Sequence, residues 1–330
     1  MKSKLSYSLA NMLLSGRSLA LLVGVATVLS SVASSRAEDK KKIAVIPMGT
    51  TQVYWKSVQA GAEDAAKELG VDMKWKGPLK ESDRAGQIAI VEQFVSDGVD
   101  GIVLAPLDST ALKRPVEAAM AKGIPVVIID TPLKGEAGKD FVSTVATNNH
   151  RGGEMAAEEL GRLLDGKGKV ILLRHQEGVG STTLREAGFL EGIKKFPGIE
   201  VILDNRYAGA TASEAQSTAL NILDKIKEAD GIFCPNEGTT FGCLLALRQN
   251  NLAGKIKLIG FDTSPALLDA IKKGQVQAVV AQNPKKMAHE GIKLVLEKIK
   301  GQDVPPLVDS GAVLVTKENL DTPEIQALLK

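Results

Sequence analysis

Short apolar runs alternate along most of the chain with longer segments in which apolar residues recur every three or four positions. Several runs are apolar throughout, as at residues 102–104 and 126–129, which is typical of strands that helices cover on both faces. The predicted strands are residues 43–47, 71–75, 101–105, 125–129, 142–146, 169–173, 200–203, 231–234, 257–260 and 276–281.

The longer segments have the spacing of amphipathic helices. Segments 111–122, 149–164, 211–228 and 284–300 show it, and Pro284 suits a first helical turn, where its missing N–H would be unpaired anyway. The first such helix carries one apolar stripe, which consists of Trp55, Val58, Ala62, Ala65 and Leu69.

Strict alternation of strand and helix predicts an α/β fold with doubly wound parallel sheets. Ten strands are too many for one ordinary sheet of this kind, so we divide them between two Rossmann-like lobes. The change from one lobe to the other falls near residues 146–149. No tandem repeat or long flexible linker is visible, which favours lobes joined by brief crossovers.

Residues 1–37 have the composition of a secretory signal peptide. A basic start (Lys2, Lys4) precedes an apolar run of 11 residues at 19–29, and small residues lead to a cleavage site after Ala37. Because a bilayer span needs about 20 apolar residues, we expect export to the periplasm rather than a retained anchor, which is the alternative. No Cys lies near the cut, so a lipid anchor is not expected.

Cleavage changes both the length and the charge balance. It leaves 293 residues, enough for two domains with separate cores. It also removes four of the 41 basic residues and no acidic one, leaving 37 basic against 39 acidic residues, a balance that gives no support for nucleic-acid binding. Cys234 and Cys243 are nine positions apart; an oxidising compartment would allow a disulfide, and two buried free thiols are the alternative we favour.

Polar side chains follow the ends of most predicted strands, where ligands bind in open parallel sheets. Carboxylates, amides and a guanidinium beside aromatic rings suit a polyol, because they pair with hydroxyls while rings cover C–H faces. Asp and Asn at such positions are also expected as helix N-caps, and Trp55 suits the core as well as a ligand. The candidates are Gln52, Tyr54, Trp55, Asp108, Asp130, Thr131, Asn148, Asn149, Arg174, His175, Arg206, Tyr207, Asn236, Glu237, Asp262 and Gln282.

An ordered set of short matches runs through nearly the whole chain after the leader. With these residues in this order, the chain resembles the type I, ribose-binding-like family of bacterial periplasmic sugar-binding proteins, the substrate-binding components of ABC transporters. The matches are IAVI at 43–46 before Tyr54 and Trp55, GIVLAP at 101–106 before Asp108, GIPVVIID at 123–130, Asn149 with Gly152 and Gly153, Arg185 before Gly188 and Phe189, Asn236 with Glu237, GFD at 260–262, and AQ at 281–282 before Pro284.

The resemblance implies two similar lobes with a three-segment hinge that close around one ligand. The crossings would fall near residues 146–148, 282–284 and 310–312. The N-terminal lobe would then comprise residues 38–146 plus 283–311, and the C-terminal lobe residues 147–282 plus 312–330. The resemblance carries over polar site residues and two stacking aromatics, and we add Gln52 and Asn149; the expected ligand contacts are Gln52, Tyr54, Trp55, Asp130, Asn149, Arg185, Asn236, Asp262 and Gln282.

Three departures from ribose binders point to a different polyol. Gln52 stands where they carry Asn, Thr131 follows Asp130 where they carry Arg, and residues 206–210 offer no clear aromatic to close the sandwich. Loss of the charged hydrogen bond alone costs on the order of 1.5–3 kcal/mol. We therefore expect another pentose, a hexose, a sugar alcohol or a cyclitol.

The resemblance implies a solute-binding protein that delivers a sugar or polyol to an ABC-type permease in the inner membrane. The alternative is a periplasmic sensor or chemoreceptor protein for a sugar or signalling furanose. We expect a monomer with no cofactor and no metal. We also expect no nucleic-acid partner, because related repressors begin with a helix-turn-helix and this chain begins with an export signal.

An enzyme is not expected. The chain has no Gly-x-Ser-x-Gly, no His-x-x-x-His and only three histidines. Asp130 and Asp262 could act in principle as paired glycosidase carboxylates. The loop at 178–181 resembles a dinucleotide-binding loop but lacks its third glycine and later acidic residue, so a tight turn before a helix accounts for it better.

Overall fold

The computed structural model describes residues 40–329, so the predicted signal peptide lies outside the described residues. Within residues 40–329 no helix is long and apolar enough to cross a membrane. The strands are β1 (Lys42–Ile46), β2 (Asp72–Trp75), β3 (Gly101–Leu104), β4 (Val126–Ile129), β5 (Ser143–Ala146), β6 (Lys167–Arg174), β7 (Gly198–Tyr207), β8 (Gly231–Phe233), β9 (Lys257–Phe261), β10 (Ala278–Gln282), β11 (Leu307–Asp309) and β12 (Ala312–Thr316). The helices are α1 (Val53–Leu69), α2 (Arg84–Asp97), α3 (Lys113–Ala121), α4 (Asn149–Leu163), α5 (Gly180–Gly192), α6 (Ala212–Asn221), α7 (Leu223–Glu228), α8 (Glu237–Gln249), α9 (Pro265–Lys272), α10 (Pro284–Ile299) and α11 (Pro323–Leu329).

The strands form two six-stranded sheets, which confirms the prediction of two doubly wound lobes. The first has the order β11-β5-β4-β3-β1-β2 and is parallel throughout. The second has the order β12-β10-β9-β8-β6-β7, and its edge strand β12 runs antiparallel to β10. The antiparallel edge departs from the wholly parallel sheets predicted. The preceding strand, β11, belongs to the first sheet, so β12 enters the second sheet by a two-residue passage between the lobes and not by a crossover within that sheet.

The edge strands β11 and β12 were not among the predicted strands. β11 is three residues long, and Leu307 at its start is 65% exposed, so it lacks the buried run that identifies the central strands. The predicted helix at 211–228 is two helices, α6 and α7, which meet at Ile222, where the backbone leaves the helical region at φ −110° and ψ 21°. No Gly or Pro marks that break in the sequence.

Each sheet is covered by helices on both faces, as its apolar strands require. In the first lobe α1 and α10 cover one face, and α2 and α3 the other. In the second lobe α4 and α5 pack against one face, and α6, α8 and α9 lie over the other. Cys234 and Cys243 are buried in this second core as free thiols.

Helices α4 and α5 approach so closely that two glycines face the neighbouring backbone. A Cβ at Gly153 would overlap the carbonyl oxygen of Arg185, and one at Gly188 would overlap that of His150. The contact therefore needs glycine at both positions, and it fixes the segment that carries Arg185.

The chain passes between the sheets three times. The passages join β5 to α4, β10 to α10, and β11 to β12. The hydroxyls of Thr147 and Ser310 lie 3.2 Å apart and link two of these passages, and Gly311 adopts a φ of 83° that suits glycine.

Candidate functional site

A small cavity lies between the carboxyl ends of the two sheets, and both lobes line it. This is where open parallel sheets bind ligands. Of the nine expected contacts, Asn149 alone does not line the cavity. Its lining consists of Met48, Gln52, Tyr54, Trp55, Glu81, Asp130, His175, Val179, Ser181, Thr182, Arg185, Asn236, Asp262 and Gln282.

Two carboxylates occupy equivalent positions in the two lobes. Asp130 follows β4 and Asp262 follows β9, and the backbone of each adopts a positive φ, 64° and 66°. The N–H of Asp130 donates to the carbonyl of Val145 (3.0 Å), and that of Asp262 donates to the carbonyl of Val280 (2.8 Å). Non-glycine residues are uncommon in this left-handed region, and such strain concentrates at functional sites. The shared conformation turns both carboxyl groups out of their strands.

Asp130 is buried and held by neighbours in its own lobe. The Tyr54 hydroxyl donates to Oδ1 (2.5 Å), and the Thr131 hydroxyl donates to Oδ2 (3.0 Å). Burial raises the pKa of Asp130 above its ordinary value, and the nearby Arg185 opposes that rise. Burial, with the Asp130 charge beside it, raises the pKa of Tyr54 well above its ordinary value, so the hydroxyl remains a donor.

Asp262 lies beside Arg185, the one cationic group that lines the cavity within residues 40–329 apart from the ionisable His175. Gln282 Nε2 donates to Asp262 Oδ1 (2.6 Å), the Glu237 N–H donates to Oδ2 (3.1 Å), and Arg185 Nη1 is 4.0 Å from Oδ2. Burial raises the pKa of Asp262, and Arg185 limits the rise. The cavity is thus rich in acceptors, which suits a ligand with many hydroxyl donors.

Arg185 is held rigidly in its buried position. Its Nε donates to Asn149 Oδ1 (2.7 Å), its Nη1 donates to the Pro235 carbonyl (2.9 Å), and its guanidinium lies 3.8 Å from the centre of the Phe261 ring. Asn149 therefore orients Arg185 rather than lining the cavity, a role for which the sequence carries no signal.

The N-cap alternative is correct for several strand-end residues. Asn236 Oδ1 accepts from the Thr239 N–H (3.1 Å) and caps α8, which leaves its amide nitrogen for the cavity. Asn148 caps α4 and Asn283 caps α10 in the same way. Gln52, at the N-cap position of α1, makes no such bond with its side chain.

The position of Trp55 is compatible with both of the roles that the sequence left open. It is buried in the core of the first lobe and also lines the cavity. Its Nε1–H donates to Glu81 Oε1 (2.6 Å), and its ring meets that of Tyr54 edge to face with centroids 5.0 Å apart.

The cavity is also lined by residues outside the nine expected contacts, and these come from a loop, a helix N-terminus and a strand end. Glu81 lies six positions after β2, and Ser181 and Thr182 lie in the first turn of α5, the segment assigned to a tight turn. His175 follows β6 directly and was noted as a strand-end candidate, so its position was available from the sequence. The expected turn is present, with Gly178 at a φ of 88°.

Hydrogen bonds join the two lobes across the cleft, an arrangement that we call the closed state. Gln52 Nε2 donates to the Ala210 carbonyl (3.3 Å), the hydroxyls of Thr131 and Ser181 are 2.8 Å apart, and Gln176 Nε2 donates to the Glu81 carbonyl (2.7 Å).

Glu237 makes a fourth contact across the cleft, at the N-terminus of α1. Its Oε2 accepts from the Tyr54 N–H (3.3 Å), so the second lobe provides the cap that Gln52 does not. Burial raises the pKa of Glu237 to about 7, with smaller contributions in the same direction from Asp262 and Glu81.

No aromatic ring of the second lobe lines the cavity within residues 40–329. Tyr207 is 41% exposed and lies beside Arg174, whose guanidinium carbon is 5.9 Å from the ring centre. In the same part of the chain, no group of three His, Cys, Asp or Glu side chains is arranged to hold a metal ion.

Comparisons with known proteins agree with this geometry. Residues 43–303 match the family described as "Periplasmic binding protein domain". The D-allose-binding periplasmic protein of Escherichia coli K12 is 29% identical over 286 residues, which cover 85% of this chain and 92% of that protein.

Solved structures extend the likeness to the fold. A carbohydrate transporter solute-binding protein from Agrobacterium radiobacter in complex with D-arabinose has a TM-score of 0.84 and 35% identity, covering 89% of this chain and all of that one. An ABC transporter solute-binding protein from Agrobacterium vitis with bound D-fucose has a TM-score of 0.83 and 33% identity, covering 86% of this chain and 98% of that one.

Proposed function

This chain belongs to the periplasmic binding protein domain family, and from that premise we propose that it captures a sugar or related polyol between its lobes and delivers it to an ABC-type permease in the inner membrane. It is a solute-binding protein of the periplasm and not an enzyme. Removal of residues 1–37 on export is part of the proposal.

The observation that carries the proposal is the pair of strained, buried carboxylates, Asp130 and Asp262, beside the single buried Arg185. Carboxylates accept hydrogen bonds from hydroxyl groups, and the arginine donates hydrogen bonds to a ring or hydroxyl oxygen. Gln282 Oε1 adds a buried acceptor that has no hydrogen-bond partner within residues 40–329. A buried acceptor without a partner costs free energy, which a hydroxyl of the ligand would recover.

The mechanism follows from the contacts between the lobes. A ligand held by Asp130 and Tyr54 of one lobe and by Arg185, Asn236 and Asp262 of the other binds the closed state better than an open one and shifts the population toward it. The three passages between the sheets would act as the hinge. The closed monomer, with its composite surface across both lobes, would then be recognised by the permease rather than by a nucleic acid.

The proposed ligand class is a polyol other than ribose. Thr131 lies where an arginine would supply a charged donor, and its hydroxyl is bonded to Asp130 and Ser181. Compared with the site expected of a ribose binder, the cavity has fewer charged donors and no aromatic ring from the second lobe. This favours a pentose, hexose, sugar alcohol or cyclitol whose hydroxyls donate hydrogen bonds to carboxylates.

The test is calorimetry on residues 38–330 with D-arabinose, D-allose, D-fucose, D-ribose, xylitol and myo-inositol. We expect micromolar or tighter binding of at least one of them, and a loss on the order of a hundredfold in Asp130→Ala and in Asp262→Ala. Asp269→Ala, at an exposed residue paired with Lys273, is the control and should bind normally. Small-angle scattering should show compaction on binding. The proposal would be refuted if none of the six compounds bound, or if the protein hydrolysed a glycoside.

A further inference from the structure

A second polar cluster lines the cavity apart from the two strained carboxylates. It consists of Glu81, His175 and Thr182, and none of the three belongs to the motifs that carry the resemblance. Glu81 lies in the loop between β2 and α2 of the first lobe, and His175 directly follows β6 of the second. Glu81 is 5% exposed and His175 is 1% exposed.

Neighbouring residues hold the side chain of Glu81 and the backbone of His175 in place. Glu81 Oε1 accepts from Trp55 Nε1 (2.6 Å), which leaves Oε2 facing His175 Nε2 at 3.4 Å. The backbone N–H of His175 donates to Glu186 Oε1 (3.1 Å), and Arg174 holds the other oxygen of Glu186 (2.7 Å). The imidazole and the carboxylate are therefore presented to each other from two rigid walls.

The hydrogen bonds around Thr182 bear on which nitrogen of the imidazole carries the proton. The Thr182 hydroxyl donates to the Val179 carbonyl (3.3 Å) and is 3.4 Å from His175 Nδ1. An imidazole with its proton on Nδ1 would donate to this oxygen and keep a lone pair at Nε2. Within residues 40–329 no group is in hydrogen-bonding geometry with that buried nitrogen. The buried ring nitrogen of one lobe and the carboxylate of the other thus face each other across the cleft.

We propose that Glu81 and His175 form a specificity pair that binds two adjacent hydroxyls of the ligand, one donating to Glu81 Oε2 and the other to His175 Nε2. A vicinal diol supplies two donors at neighbouring positions, whereas a single hydroxyl supplies one. A site built to pair with a hydroxyl rejects the analogue that lacks it, because its own polar group is then left buried and unpaired. This inference rests on the proposed function and narrows it to ligands with a diol at one defined position.

The experiment uses the polyol of the panel above that binds most tightly, together with its monodeoxy analogues. We expect the wild-type protein to bind two of these analogues, lacking adjacent hydroxyls, at least tenfold more weakly than the parent. Glu81→Gln, which replaces an acceptor oxygen with a donor, and His175→Phe, which removes the ring nitrogens, should each weaken the parent at least tenfold. Each variant should also lose the discrimination against one of the two analogues, as a double-mutant cycle detects.

The chain offers a matched control pair, His289 and Glu68, whose Nε2 and Oε2 are 2.8 Å apart outside the cavity. Glu68→Gln and His289→Phe should leave every affinity unchanged. Thermal unfolding of each variant tests its folding, and the analogue series on the wild-type protein tests the diol without any substitution.

Three outcomes overturn the inference. Unchanged affinity in Glu81→Gln and His175→Phe shows that the pair does not contact the ligand. Equal weakening of parent and analogues, with discrimination intact, shows that the pair only joins the lobes. Both results leave the proposed function standing, whereas silence of the wild-type protein across the panel overturns the function and the inference together.

Discussion

Glu237 couples closure of the lobes to pH. In the closed state burial raises its pKa to about 7 from an ordinary value of 4.5, whereas an open cleft returns the carboxyl to water and to that ordinary value. Between these two pH values the closed state holds a proton that the open state has lost, so closure becomes less favourable as pH rises from about 4.5 to about 7. Well above pH 7 the Glu237 carboxyl is ionised in both states, so closure no longer changes with pH through this group.

The size of this effect follows from the difference between the two pKa values. A rise from 4.5 to about 7 corresponds to roughly 3 kcal/mol, or on the order of a hundredfold in ligand affinity. That figure is an upper bound, because the residual exposure of the carboxyl lets water screen its charge.

The assay is calorimetric titration of the bound polyol at half-unit steps from pH 5 to pH 8.5, in pairs of buffers with different ionisation enthalpies. The wild-type protein should bind more weakly as pH rises and should take up a proton on binding near pH 6. Glu237→Gln removes that titration and should reduce both effects; the slope that remains belongs to Asp130 and Asp262, whose pKa values burial also raises. Glu136→Gln, at an exposed residue, should behave as wild type. Identical pH profiles in wild type and Glu237→Gln would refute the reasoning.

Three further predictions concern the contact between α4 and α5, the side chain of Arg185 and the two cysteines. Gly153→Ala should lower the free energy of unfolding by about 1–3 kcal/mol, because its Cβ overlaps the Arg185 carbonyl across the α4–α5 contact; chemical denaturation measures this, and an unchanged midpoint would contradict it. Arg185→Met should abolish binding and destabilise the protein by about 3 kcal/mol at pH 7, with a smaller loss at pH 5, where Asp262 is more readily protonated; an equal loss at both pH values in thermal unfolding would count against this electrostatic account. Cys234 and Cys243 should resist a thiol reagent in the native protein and give two reactive thiols after unfolding without a reductant, whereas no reactive thiol would reveal a disulfide.

The central strands could be predicted because strands buried on both faces are apolar throughout, and most of the helices because their apolar residues recur every three or four positions. The runs at 102–104 and 126–129 are apolar at every position, and in the structure each lies in the middle of a covered sheet. The edge strands β11 and β12 carry no such signal, since an edge strand has fewer neighbours to bury it. The antiparallel direction of β12 depends on where the chain crosses between lobes, which no local pattern records.

The candidate site divides in the same way. Asp130 and Asp262 were predictable because each directly follows a buried strand, and the rule that ligands bind at strand ends locates them without coordinates. Glu81 was not, because it lies in a loop whose path toward Trp55 is set by packing. Asn149 does not line the cavity, and its side chain accepts a hydrogen bond from Arg185.

By itself the sequence therefore determined the class of fold, the cleft where polar residues gather and the kind of chemistry they carry, since these follow from periodicity and strand ends. Only the tertiary structure decided which atoms remain free to bind. It shows that His175 Nε2 has no hydrogen-bond partner within residues 40–329. It also shows that Glu237 caps α1 and that Glu81 contacts Trp55, contacts that join residues apart in the chain. A hydrogen bond forms or fails with a change of a few tenths of an ångström in the distance between donor and acceptor. Only the folded chain sets those distances, whereas a hydrophobic pattern can be read from the sequence.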